Sequence, residues 1–303
     1  MSPNRSRLRT ALRWAGRVGV VLVALLAVAA GTVYALSERK LAARRPVEAH
    51  ALVVPTDSAS VARGRRLATV RGCTDCHGAN FRGNVILDDP AVGTIAGPNL
   101  TAGRRGPQLD DAAWELAVRH GVRRDGTQLL IMPANEFNVL TDEDLAAIVA
   151  YARSVPADTH STPATRIGPV IRTMYAAGKV NVLPAREIDH ARPHAATIAV
   201  DSGVTYGAYL AAGCTGCHNP SFSGGKIPGT PPDWKPAANL TPTGIGHYKE
   251  ADFFRALREG KRPDGSTLDP RMNVAMTSQF TDTELKAMYA YLRTLPPKPF
   301  AVR

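Results

Sequence analysis

Cys73-Thr74-Asp75-Cys76-His77 and Cys214-Thr215-Gly216-Cys217-His218 are the two stretches whose reading decides the fold, and between them they use all four cysteines of the 303-residue chain. Two thiols three positions apart lie on one side of a helical turn, within reach of both vinyl groups of one porphyrin, to which they add as thioethers. The histidine that follows then meets the iron. A thioredoxin-like redox pair needs no following histidine. A four-ligand zinc site would use the two pairs jointly rather than 141 positions apart. The pattern predicts two covalently bound haem c groups.

The sequence around the motifs repeats as well. Asn99-Leu100-Thr101 recurs as Asn239-Leu240-Thr241, Asp125-Gly126-Thr127 as Asp264-Gly265-Ser266, and Leu140-Thr141-Asp142-Glu143 as Phe280-Thr281-Asp282-Thr283, at offsets of 139 to 140. Each copy ends in an amphipathic helix, Asp142 to Ser154 and Asp282 to Thr294, stopped by Pro156 and Pro296. Each motif is preceded by a short helical stretch, Ser60 to Val70 and Thr205 to Ala212, with Gly64 and Gly207 placed where two helices could cross closely. These are the marks of two equivalent domains. We delimit them as 58–156 and 203–297, with a connector at 157–202 and an amino-terminal segment at 1–45.

The net charge of +11 is concentrated in that amino-terminal segment, where nine Lys or Arg residues and Glu38 leave +8. Little positive charge remains for the globular part, so a nucleic-acid-binding face is poorly supported. Val18 to Leu36 is free of charge and follows Arg13 and Arg17. A helix of this length covers about 28 Å, enough to span a bilayer. The basic flank predicts a cytoplasmic amino end and an exported remainder, with lipid contact through 18–36. A cleaved signal peptide, with Ala27-Val28-Ala29 as the cleavage site, is the alternative. Both readings put the globular part in the periplasm or outside the cell.

Each half resembles a class I cytochrome c domain, and the pair resembles the haem-domain arrangement of the cytochrome c subunits of membrane-associated bacterial alcohol and sugar-acid dehydrogenases. The resemblance covers about 58–156 and 203–297. It implies an all-α fold: two tandem domains behind a transmembrane helix, each packing its first helix on its last. It also implies a methionine as the sixth iron ligand, on a loop before the last helix. Met132, in Ile131-Met132-Pro133, fits the family's Met-Pro pattern; Met272 and Met276 are the candidates in the second half. Met272 lies nine residues before Thr281, as Met132 lies nine before Thr141, but Asn273 replaces the proline. The expected sites are therefore Cys73, Cys76, His77 and Met132 for one haem, and Cys214, Cys217, His218 and Met272 for the other. Within this family the ligand histidine gives its second N–H to a backbone carbonyl near a Gly-Pro-Asn-Leu segment. Gly97-Pro98-Asn99-Leu100 matches it fully, and Ala237-Ala238-Asn239-Leu240 without the proline.

Trp114 and Phe253 read mainly as core, and Asn99 and Asn239 as caps or bridges for loop backbone. The six other histidines, His50, His120, His160, His190, His194 and His247, read as surface or hydrogen-bonded structure. The connector reads as extended chain with one short helix at Ile171 to Ala177, wrapping between the domains. The expected role is an electron relay in a respiratory chain, between a dehydrogenase-type donor and an acceptor such as a terminal oxidase or a soluble cytochrome. A di-haem redox enzyme of peroxidase or thiosulfate-oxidising type is the alternative; it requires an open or displaceable sixth iron position.

Overall fold

A computed structural model of the chain describes residues 3–102, 109–231 and 233–302. Helix α1 runs from Pro3 to Leu41. At about 1.5 Å per residue it is close to 58 Å long, well beyond the charge-free stretch. Its Arg9–Leu41 part is long and apolar enough to cross a membrane, with none of its most apolar window buried against the protein.

The first domain opens with α2 (Ser58–Val70), capped by the Asp57 carboxylate, which accepts from the Ser60 amide at 2.9 Å. The attachment helix α3 (Cys73–His77) follows directly, then strands β1 (Asn84–Asp89) and β2 (Gly93–Gly97). Next come α4 (Asp111–His120), the short α5 (Ala134–Phe137) and α6 (Asp142–Ser154). The connector supplies strand β3 (Arg166–Ile167), helix α7 (Pro169–Ala176) and a 3-10 turn at Pro184–Glu187. The second domain repeats the helices as α8 (Val204–Ala211), α9 (Thr215–His218), α10 (Pro242–Ile245), α11 (Glu250–Glu259), α12 (Val274–Thr277) and α13 (Asp282–Thr294).

In each domain the first helix crosses the last. A Cβ on Gly64 would overlap the Ala147 carbonyl oxygen of α6, and one on Gly207 would overlap the Ala287 carbonyl oxygen of α13. Only glycine lets the backbones approach so closely. The last helices start where their sequence says they should: Thr141 and Thr281 accept from the amides of Asp144 and Glu284, each at 3.2 Å.

Among the described residues the named strands, a departure from an all-α fold, lie together. β1, β2 and β3 form a three-stranded antiparallel sheet in that order, the third strand coming from the connector. Asp89 starts the turn between β1 and β2 by accepting from the amides of Ala91 and Val92, both at 2.8 Å. Among the described residues the second domain has an isolated bridge, Gly225 with Ala237, at the corresponding place. The connector is extended at β3, with helix α7 and a 3-10 turn beyond it.

The two halves do not keep separate cores. Leu67, Trp114, Leu145, Tyr209, Phe253 and Leu285 belong to one continuous buried cluster drawn from both domains. Charged groups cross the seam too. Arg66 of α2 makes paired bonds of 2.9 and 2.8 Å to the Glu284 carboxylate of α13. The Arg71 guanidinium stacks 4.4 Å from the Tyr209 ring and donates to the Tyr209 carbonyl at 3.2 Å. The Tyr209 hydroxyl in turn donates to Asp144 of the first domain.

Helix α1 is also packed against the globular part. Arg172 of α7 donates to Ser37 at 3.0 Å and to Glu38 at 2.8 Å, and its guanidinium lies 4.5 Å from the Tyr34 ring. Beyond α1 the chain stays docked: the Arg45 amide donates to Gly126 at 2.8 Å, and Gln128 donates to the Ala43 carbonyl at 2.6 Å.

Alanine is the better helix former, so Gly64→Ala isolates the clash with Ala147; it is expected to destabilise the chain by about 2 kcal/mol in denaturant unfolding. Burial raises the Glu284 carboxyl, but the bonds from Arg66 and the Thr281 amide outweigh it, and the pKa ends below its ordinary value. The stability this supplies is present above the unfolded carboxylate pKa and is lost as pH falls through the folded one. Arg66→Ala strands Glu284 and is expected to cost about 2 kcal/mol at neutral pH and less in acid, where Glu284 is protonated. Unfolding curves at the two pH values measure the difference.

Candidate functional site

The two attachment turns follow the first helix of each domain almost without a break. Gly72, in the left-handed region at φ 75°, swings the chain from α2 into α3, whereas α8 passes to α9 through the 3-10 turn Ala212–Cys214. The crossing helices therefore fix where the cysteines stand. No disulfide joins any of the four. Burial pushes the thiols of Cys73 and Cys214 up to about 12, and it raises Cys76 and Cys217 as well. Thiols raised in this way stay neutral, the opposite of the thiolate that disulfide exchange requires. Among the described residues no group of three or more His, Cys, Asp or Glu is placed to hold a metal ion, which counts against a zinc site shared by the pairs.

Each imidazole is held through one nitrogen. His77 Nδ1 donates to the Pro98 carbonyl at 3.0 Å, and His218 Nδ1 donates to the Ala238 carbonyl at 2.7 Å. A carbonyl can only accept, so both rings carry their proton on Nδ1 and leave the Nε2 lone pair free. Burial lowers the pKa of both histidines, opposed by those carbonyl bonds, and so keeps Nε2 unprotonated. Both carbonyl-bearing loops are tied down in the same way. Asn99 accepts from the Thr101 amide at 2.8 Å and donates to the Asp158 and His160 carbonyls at 2.9 Å. Asn239 accepts from the Thr241 amide at 2.8 Å and donates to the Lys298 carbonyl at 2.8 Å. The second half keeps this tie without the proline. Trp114 and Phe253 are buried on α4 and α11 as core residues.

The methionine loops correspond less closely. Met132 is partly buried against the core and precedes Pro133 and α5. Met272 stands at the equivalent place before α12, where Asn273 does more than replace a proline: its Oδ1 accepts from the Met276 amide at 3.1 Å, and its Nδ2 donates to Asp75 of the first attachment turn at 2.9 Å. Met276 lies one turn further on, and its sulfur comes within 3.9 Å of where a side chain on Gly72 would begin. It faces the other domain. Glu136, its counterpart in the repeat, lies against Gly216 of the second attachment turn, and burial pushes its pKa up to about 7. Each methionine loop thus covers the other domain's attachment turn. Sequence alone did not single out Glu136, because its environment comes from residues 80 positions away.

Neutral thiols three apart, beside an imidazole with one nitrogen pinned and the other open, define a site for covalently held haem. The sequence model of the Cytochrome c family matches residues 61–156 and 204–296, and the chain belongs to that family. It is 30% identical over 286 residues to the alcohol dehydrogenase (quinone) cytochrome c subunit of Gluconacetobacter polyoxogenes, covering 80% of this chain and 57% of that protein. It is 28% identical over 268 residues to the fructose dehydrogenase cytochrome subunit of Gluconobacter japonicus, covering 79% and 53%. A shorter match, 40% over 100 residues, is to the gluconate 2-dehydrogenase cytochrome c subunit of Pantoea cypripedii, covering 30% and 23%. The chain spans little more than half the length of the first two relatives.

Asn239→Ala removes the tie that holds the Ala238 carbonyl. It is expected to lower stability by about 1–3 kcal/mol and to loosen the second imidazole selectively, seen as broadening of the His218 ring resonances while those of His77 stay sharp.

Proposed function

We propose that the chain carries two haem c groups and works as an electron-transfer subunit, tethered by residues 18–36 to the outer face of the cytoplasmic membrane. The observation that carries this reading is the duplicated site, with the same thiol spacing, the same Nδ1–carbonyl bond and the same asparagine tie in each half. Cys73 and Cys76 would hold one haem, with His77 and Met132 as iron ligands. Cys214 and Cys217 would hold the other, with His218 and Met272.

When bound, haem supplies a one-electron iron couple, and a histidine–methionine ligand pair that stays in place in both oxidation states keeps reorganisation small. The chain's own residues do the rest. The paired cysteines would fix the porphyrin's position, the Pro98 and Ala238 carbonyls orient the imidazoles, and the shared core excludes water. Asn273, Met276 and Glu136 bring each half's methionine loop onto the other half's attachment turn, which supports exchange between the two sites within one chain. The matches to dehydrogenase cytochrome subunits support a dehydrogenase-type donor, and a respiratory oxidase or soluble cytochrome is the proposed acceptor. The alignment of Met272 with Met132, and the engagement of Met276 with the opposite domain, favour Met272 as the ligand.

Methionine–iron bonds have a distinct near-infrared absorption in the oxidised state. Met132→Ala and Met272→Ala are each expected to remove about half of it, and Met276→Ala none. Full absorption in Met272→Ala would overturn the ligand assignment; high-spin iron with peroxide turnover in the unmodified protein would overturn the carrier reading in favour of a di-haem enzyme.

A further inference from the structure

Three histidines outside the attachment motifs meet at one place. His120 ends α4 and is 2% exposed, while His190 and His194 come from the connector. His120 Nδ1 lies 2.9 Å from His190 Nδ1, and His120 Nε2 lies 3.2 Å from Glu115 Oε1. The row ends where His190 Nε2 meets the Ala185 carbonyl at 2.9 Å. Glu115 is fully buried, and its other oxygen accepts from the His50 amide at 3.3 Å.

Counting hydrogens shows what the row requires. Its last member is a carbonyl that can only accept, so the three contacts need three protons. Two neutral imidazoles bring two. The third is carried by the imidazole pair beside an ionised Glu115, or by Glu115 beside two neutral rings. Either way the Glu115, His120 and His190 set is uncharged as a whole, which suits a buried position. Burial, opposed by the bond to Ala185 and reinforced by His120, lowers the pKa of His190.

The surrounding charges come from every element packed here. Arg119 on α4 has Nη1 3.9 Å from Glu115 and Nη2 2.8 Å from Asp142 at the start of α6. Asp142 also faces the His50 ring at 3.7 Å. Asp189 of the connector and Arg45 of the juxtamembrane stretch act on His190. His194, lowered to about 4 by burial and then by Arg119, is uncharged at neutral pH, and its Nε2 lies 3.4 Å from the Asn138 amide nitrogen.

We propose that this row is a proton-holding clasp, closed only while three protons are shared, which fastens the connector and the juxtamembrane stretch to the first domain. A fourth proton gives the buried set a net positive charge beside Arg119, and where both rings become doubly protonated it sets N–H against N–H between His120 and His190. Loss of the third sets two lone pairs against each other. In both cases the turn at 184–192 and the segment at 47–50 are released, so the docking of the globular part on its anchor follows the pH of the compartment.

The test is hydrogen–deuterium exchange on the full-length, haem-loaded chain in detergent, corrected for intrinsic rates, from about pH 4.5 to about pH 9.5. Relative to α6, amides at 47–50 and 184–192 are expected to be most protected at intermediate pH and to lose about tenfold at each extreme. In Glu115→Gln the side-chain carbonyl can still accept from His50 while its NH2 supplies the third hydrogen to His120, so protection should survive at alkaline pH and fail only in acid. His190→Phe should give low protection at every pH. A flat wild-type profile, or an alkaline loss in Glu115→Gln equal to the wild type, overturns the proposal. Should a variant fail to fold, nitrogen NMR of the unmodified protein decides: one protonated and one bare Nδ1 in contact at neutral pH is expected, and two alike contradicts the clasp.

Discussion

An imidazole offers a metal one nitrogen in a fixed direction only when its other nitrogen is held, and in this chain that hold is a single hydrogen bond to a backbone carbonyl in each domain. His77 leans on Pro98 and His218 on Ala238. Each carbonyl keeps its place because Asn99 or Asn239 fastens its loop to the segment that follows the last helix. The last helix is set in turn by its glycine crossing with the first, and the first helix delivers the cysteines. Ligand direction, thiol placement and helix packing are thus one closed set of constraints, present twice.

Duplication explains less about the seam. The repeat predicts two similar bodies, and the chain fuses them through one apolar cluster and through contacts made by residues that differ between the copies. Glu136 and Met276 occupy equivalent positions and both face the opposite attachment turn, yet one is a carboxylate and the other a thioether. Asp75 accepts from Asn273 where its counterpart, Gly216, receives Glu136. The two sites therefore sit in unlike surroundings, a physical basis for unlike potentials if both hold haem.

Features coded by neighbours in sequence were legible beforehand. The final helices begin and end where Thr141, Thr281, Pro156 and Pro296 place them, and Gly64 and Gly207 mark the crossings. The carbonyl partners of the histidines followed from the family resemblance. The sheet was missed because Val85-Ile86-Leu87 shows no alternation and its third strand comes from the connector, some 70 positions on. The clasp was missed for a similar reason: Glu115 and His120 meet His190 only through tertiary folding, and no spacing between them signals it. The connector helix starts at Pro169, two residues before the Ile171 expected of it, because proline suits the first turn of a helix.

The most direct test of the account is the mass of the intact protein, matured in a host competent to attach haem, measured after acid-acetone extraction. Two covalent groups predict a mass raised by two haems and a red pellet. A mass raised by one haem or none, or a pellet that loses its colour to the solvent, would contradict the account.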